Sequence, residues 1–127
     1  MTKLKEIYKC EICGNIVELL HEGVGTLVCC GQPMKLLEEK NKDLGNEKHV
    51  PVIQKNEEGV DIKIGSIPHP MTPEHYIEWI EVSTEKGESK KFLNPTDDKT
   101  AETKFPVKNK KVKSRAYCNV HGLWKSK

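Results

Sequence analysis

No apolar run in this 127-residue chain approaches the ~18–20 residues that a membrane-crossing helix needs, which excludes a transmembrane reading. The opening Met1-Thr2-Lys3-Leu4-Lys5-Glu6 lacks the hydrophobic centre of a signal peptide, so a cytoplasmic protein is expected. Excess charge of one sign is also missing. Lys and Arg number 21 against 19 Asp and Glu, and the lysines are scattered among acids, so no nucleic-acid partner is expected. There is no internal repeat, no low-complexity tract and no sustained helical period with start and stop signals. Hydrophobic residues make up only 35% and charged residues 31%, yet branched aliphatics recur along the chain, which excludes a disordered polymer. The length suits one ordinary domain or two very small ones.

What the chain does have is five cysteines: Cys10, Cys13, Cys29, Cys30 and Cys118. A disulfide framework would leave one thiol over and would need an oxidising compartment. Adjacent Cys29 and Cys30 are also poor members of a disulfide set. Metal ligation in a reducing cytosol explains the count better.

Composition divides the chain. Residues 1–37 form a small Cys-rich unit, and a unit below about 40 residues rarely buries enough surface to fold alone. A metal held by thiolates supplies the missing stability, because its binding free energy becomes folding free energy. Residues 38–46 are charged and nearly devoid of apolar side chains, and read as a linker. The remainder, 47–127, reads as strands. Val60-Asp61-Ile62-Lys63-Ile64 alternates strictly, and Tyr76–Val82 is rich in aromatic and β-branched residues. Further strands are expected near Val50–Gln54, Lys91–Leu93, Thr103–Val107 and Val112–Tyr117, with turn clusters at Glu85–Glu88 and Asn94–Asp98. Short strands and turns over about 80 residues suggest an antiparallel sandwich of immunoglobulin-like type.

Cys10-Glu11-Ile12-Cys13-Gly14 is a knuckle whose two-residue gap lets both sulfurs face one ion, with Gly14 permitting the tight turn. After fifteen residues come Cys29, Cys30 and Gly31. Four thiolates suit a tetrahedral site for iron or zinc, and spacing does not choose between them. Neighbouring side chains on extended backbone point apart, so Cys29 and Cys30 can share an ion only across a bend. The pattern Cys-x-x-Cys…Cys-Cys resembles desulforedoxin, a resemblance that implies a single redox-active iron.

Four of the five histidines accompany the remaining cysteine in the second part: His49, His69, His75 and His121, with Cys118. His69 lies between Pro68 and Pro70, which fix the backbone and remove competing amide donors. Cys118 and His121 form a Cys-x-x-His pair. His21, in a polar turn, is read as solvated. Five donors exceed what a structural tetrahedral zinc takes, and imidazole with thiolate suits iron. Four imidazoles can fill a plane, with the thiolate axial and the opposite position open to a small ligand.

Taken together, Cys10-x-x-Cys13…Cys29-Cys30, Glu47-Lys48-His49-Val50-Pro51, His69-Pro70, His75-Tyr76 and Cys118-Asn119-Val120-His121-Gly122 resemble the desulfoferrodoxin family of two-iron superoxide reductases. The resemblance covers nearly the whole chain. It implies a desulforedoxin-like (rubredoxin-type) domain followed by an immunoglobulin-like β-sandwich, and two irons per chain. One would be held by Cys10, Cys13, Cys29 and Cys30, the other by His49, His69, His75, His121 and axial Cys118. It further implies a cytoplasmic homodimer that reduces superoxide to hydrogen peroxide without making dioxygen, with rubredoxin as electron donor. Lys48 would attract the anion and help deliver a proton, and Glu47 would occupy the sixth position of the oxidised iron. Backbone amides around Val120 and His121 would moderate the sulfur. Three other readings compete: a pure electron carrier, a zinc-stapled interaction module, and superoxide dismutation at the same site.

Overall fold

The computed structural model describes residues 1–42 and 48–127; Glu47, singled out above, lies outside the described residues. The chain divides into two compact units, Met1–Glu38 and Glu39–Lys127. Every regular element among the described residues is a β-strand, as the mainly-β expectation required.

The first unit contains β1 (Ile7–Lys9), β2 (Ile16–Glu18), β3 (Val28–Cys29), β4 (Gln32–Pro33) and β5 (Lys35–Leu36). Its main sheet has the order β2-β1-β5, and β3 pairs with β4 in a separate two-stranded ladder. Strands of two or three residues are too short to display a period, so they left no trace in the sequence pattern. Ile7 and Cys10 are buried, but Leu20 is 78% exposed and Val28 60%. Burying a side chain such as Ile7 contributes about 1.5–3 kcal/mol, far below the cost of ordering some forty residues. The unit therefore needs its metal to stand as a fold.

The second unit carries β6 (Pro51–Asn56), β7 (Gly59–Ile64), β8 (Ile77–Thr84), β9 (Gly87–Phe92), β10 (Glu102–Phe105), β11 (Lys113–Cys118) and β12 (Gly122–Lys125). They form two antiparallel sheets, β10-β7-β6 and β12-β11-β8-β9. Val60, Ile62 and Ile64 of β7 point inward, as their alternation predicts, and join Ile77, Ile80, Val82, Leu93, Phe105 and Ala116 in the core. Gly59 permits the close approach of β10: a Cβ there would lie 2.1 Å from the Phe105 carbonyl oxygen, and its φ of +147° suits glycine alone.

Three features depart from the sequence expectation. The turn foreseen at Glu85–Glu88 is shorter, because Gly87 already opens β9. β12 was not foreseen, since Gly122-Leu123-Trp124-Lys125 is too short to alternate visibly. Lys40, inside the stretch read as a linker, pairs alongside β12: its N–H donates to the Leu123 carbonyl (3.0 Å) and its carbonyl accepts from the Lys125 N–H (2.8 Å).

Two further details position the chemistry. The β8–β11 register shifts at Tyr117/Cys118, so that Cys118 faces Ile77 and Glu78 is the extra residue. Such a bulge re-aims side chains next to a site. It turns Ile77 into the core beside Cys118. Glu81, 2% exposed, receives Arg115 through Nε (2.9 Å) and Nη2 (2.9 Å), and Lys90 through Nζ (2.7 Å). Burial alone would raise its pKa; the Arg115 and Lys90 cations overcome this and hold it below the usual carboxylate value.

Candidate metal centres

In the first unit the four sulfurs of Cys10, Cys13, Cys29 and Cys30 lie within 4.8 Å of one another. The knuckle forms as its spacing requires. The Cys13 N–H donates to Cys10 Sγ (3.5 Å), the Asn15 N–H to Cys13 Sγ (3.5 Å), and Gly14 turns with φ +84°. Cys13 and Cys29 sulfurs are 3.6 Å apart, and those of Cys29 and Cys30 4.0 Å. A tetrahedron with metal–sulfur bonds of ~2.3 Å has edges of ~3.8 Å, so the sulfurs already stand near the corners of one. The bend demanded by adjacent cysteines is present: Cys30 adopts φ +52°, a left-handed conformation costly for a side chain other than glycine, and Gly31 follows with φ +76°.

The thiols are electrostatically unequal. The Cys13 amide draws the Cys10 pKa down to about 6. The neighbouring Cys13 and Cys10 sulfurs push Cys30 up to about 12 and also raise Cys29. Four close thiols cannot all ionise on their own, because like charges at this separation repel. A cation at the centre removes that conflict, which is what a built metal site requires.

The second cluster lies at one end of the sandwich, where β6 begins, β7 ends, β8 begins and β11 turns into β12. His49 precedes β6, His69 and His75 sit in the loop between β7 and β8, Cys118 closes β11, and His121 lies in the turn to β12. The four imidazoles contact one another in a closed cycle. Centroid distances are 4.9 Å for His49–His69, 4.8 Å for His69–His75, 5.0 Å for His75–His121 and 4.7 Å for His121–His49. Adjacent rings are tilted by 65–82°, like the blades of a propeller. A square of that side leaves the inner nitrogens about 2.3 Å from its centre, close to the ~2.0–2.1 Å of a metal–imidazole bond.

The nitrogens confirm the direction. His69 Nδ1 lies 2.8 Å from the Pro70 carbonyl oxygen; only an N–H there makes a bond, which leaves Nε2 with its lone pair. That Nε2, and Nε2 of His75, are buried without a hydrogen-bond partner. Orphaned buried acceptors of this kind cost about 1–3 kcal/mol each, and a metal ion at the centre satisfies them. His121 turns Nδ1 inward, 3.1 Å from His49 Nε2 and 3.9 Å from Cys118 Sγ. The short Cys-x-x-His reach favours that inner nitrogen. Donor atoms of His49, His75, Cys118 and His121 lie within 4.8 Å of one another, and His69 completes the cycle through its two ring contacts.

Burial pushes the His69 pKa down to about 4 and lowers that of His75, where the His121, His49 and Lys48 charges add to the effect. Both shifts favour the neutral imidazole, the form that coordination requires. Cys118 is fully buried, which raises its pKa; the His121 N–H (3.4 Å) and the Val120 amide oppose this at the sulfur. Both amides lie at the positions named in the sequence reading. Lys48 is half-buried beside His49, and His21 is exposed as expected.

Three residues of this neighbourhood escaped the sequence reading. Trp124 stacks on His49 at 4.6 Å and 17°, and its Nε1–H donates to the His121 carbonyl (3.1 Å). Asn119 accepts the Tyr76 N–H at Oδ1 (2.9 Å) and donates from Nδ2 to the Glu74 carbonyl (3.0 Å). Lys40 donates to the His121 carbonyl (3.2 Å). Only Asn119, lying within the Cys118–His121 motif, carried any signal of position.

Comparison with known proteins agrees with this geometry. The desulfoferrodoxin family profile matches residues 41–127, and that of the desulfoferrodoxin amino-terminal domain matches residues 2–37. The chain belongs to the desulfoferrodoxin family. It is 55% identical over 126 residues to a desulfoferrodoxin homolog of Archaeoglobus fulgidus, covering 99% of both chains. It is 54% identical over 121 residues to the desulfoferrodoxin of Nitratidesulfovibrio vulgaris, covering 95% of this chain and 94% of that one. A superoxide reductase of Pyrococcus abyssi is 39% identical over 104 residues, 68% of this chain and 90% of that one. Among solved structures, the superoxide reductase of Treponema pallidum matches with a TM-score of 0.78 at 29% identity, covering 96% of this chain and 97% of that one. The chain is accordingly an oxidoreductase of this family, and its thiolate and imidazole–thiolate clusters match the family's two iron centres. No helix among the described residues is long and apolar enough to cross a membrane.

Proposed function

We propose that the chain is a superoxide reductase, whose second centre passes one electron to superoxide and, with two protons, forms hydrogen peroxide without releasing dioxygen. The observation that carries this reading is the closed cycle of four imidazoles around a point that Cys118 Sγ also approaches. His49, His69, His75, His121 and Cys118 would hold the ion of this centre. Cys10, Cys13, Cys29 and Cys30 hold the other ion. Ferrous iron held by the imidazoles and thiolate supplies the single electron. The remaining tasks belong to the chain. The prolines flanking His69 and the Pro70 carbonyl fix that ring and its tautomer, and Trp124 braces His49. The amides at His121 and Val120 draw charge from the Cys118 sulfur and would temper the donor strength it offers a bound iron. Lys48 faces the cluster closely enough for its charge to act on His75, across the cycle from His49. Its ammonium attracts the anionic substrate and orders a water that delivers a proton.

The family resemblance extends this reading to a cytoplasmic homodimer re-reduced by rubredoxin. Against the electron-carrier and zinc-module readings stand the four histidines, which those functions leave unused. The test is anaerobic reduction of the two-iron protein followed by a superoxide pulse, with peroxide and dioxygen assayed together. One peroxide per ferrous ion oxidised, with no dioxygen, is expected; dioxygen release would assign dismutation instead. His69→Ala and Cys118→Ser should lose the reaction while the amino-terminal centre keeps its spectrum. Lys48→Ala should slow it tenfold or more, with a weaker dependence on ionic strength.

A further inference from the structure

Lys40 is held more firmly than a surface lysine ordinarily is. Its backbone is bonded on both sides to β12, through the Leu123 carbonyl and the Lys125 N–H. Its Nζ donates to the carbonyl of His121 (3.2 Å) and lies 5.5 Å from the centre of the Trp124 ring. Trp124 in turn stacks on His49 and donates to that same His121 carbonyl. One ammonium is therefore tied directly to one candidate ligand residue and, through a single indole, to a second. Lys40 is exposed, and holding its side chain in this way costs rotamer freedom that a merely solvated lysine keeps.

We propose that Lys40 is a positioning residue of the second centre, a fixed cation that favours the ferrous over the ferric ion and holds the His121 turn and Trp124 in register. This rests on the reading of that centre as a redox-active iron. The physical reason is Coulombic. A positive charge held near the ligand set destabilises the more highly charged ion, so the centre is easier to reduce with Lys40 present than without it. Lys48 lies on the other side of the sequence motif, next to His49 itself, and is assigned to the substrate. Lys40 is assigned to the metal.

The alternative is that the lysine stem only covers Trp124. Substitution separates the two. Lys40→Met keeps an unbranched apolar stem over the indole and removes the charge; Lys40→Arg keeps the charge. The experiment is an anaerobic redox titration of the complete two-iron protein, followed by the absorption of the oxidised second centre, with the amino-terminal centre as internal reference. At a fixed applied potential near the wild-type midpoint, Lys40→Met should raise the ferric-to-ferrous ratio about three- to tenfold, the scale of one partly solvated charge. Lys40→Arg should restore the ratio to within twofold, and the reference centre should not move. An unchanged ratio in Lys40→Met, or an equal shift in both variants, would overturn the proposal. The titration uses no superoxide, so this failure is distinct from a failure of the superoxide chemistry, which the pulse experiment reports on the same samples.

Discussion

Asn119 offers a direct test of how the fold assembles the second centre. Its side chain joins the loop that carries His75 to the turn that carries Cys118 and His121, through the Tyr76 N–H and the Glu74 carbonyl. Asn119→Ala deletes both bonds and leaves the backbone bond from its own N–H to the Tyr76 carbonyl (3.2 Å) and the Cys118–Ile77 strand pairing beside it. Each lost hydrogen bond is worth about 0.5–1.5 kcal/mol net, so the loop loses about 1–3 kcal/mol of restraint. That restraint is what keeps His75 Nε2 directed inward without a partner of its own. Charged to metal binding, it corresponds to about a 10- to 100-fold loss of affinity, the range typical of residues that orient ligands. The assay is competitive titration of the metal-free chain with Co2+, read from the absorption of the imidazole–thiolate site; the four-thiolate site serves as reference. An affinity within twofold of wild type would refute the claim that Asn119 holds the two ligand-bearing segments together.

Other outcomes follow from the same structure. Glu81→Gln should destabilise the second unit by about 1.5–3 kcal/mol, because it removes the buried carboxylate that Arg115 and Lys90 share while Arg115 keeps Glu39 (3.3 Å), and urea denaturation at pH 7 measures this. The sign with pH is set by the lowered pKa of Glu81. Its stabilising contribution is complete above the unfolded carboxylate pKa and is lost as pH falls through the folded one, so the gap between wild type and Glu81→Gln should narrow on acidification; a constant gap would count against the assignment. Removing metal from the four-thiolate site should abolish the ordered amide signals of residues 1–38 while the core signals of the second unit persist. Retention of an ordered first unit without metal would show that its sparse buried residues suffice.

The pattern of Val60–Ile64 and the aromatic, branched run to Val82 were readable as strands because alternation survives in segments of five residues or more. The two- and three-residue strands of the first unit, and β12, are below that limit, and their pairing is decided by metal ligation and by partner strands rather than by their own side chains. Residue chemistry and spacing pointed to nine candidate donors at Cys10, Cys13, Cys29, Cys30, His49, His69, His75, Cys118 and His121, and the family resemblance grouped them into two sets. Spacing was also enough to require the bend at Cys30, because adjacent side chains on extended backbone diverge. The cyclic order of the histidines, the inward nitrogen of each, the bulge opposite Cys118, and the bracing by Trp124, Asn119 and Lys40 came only from tertiary structure. The reason is physical: a ligand's identity is a local property of its side chain, whereas the direction of its lone pair depends on which distant strands the chain brings beside it.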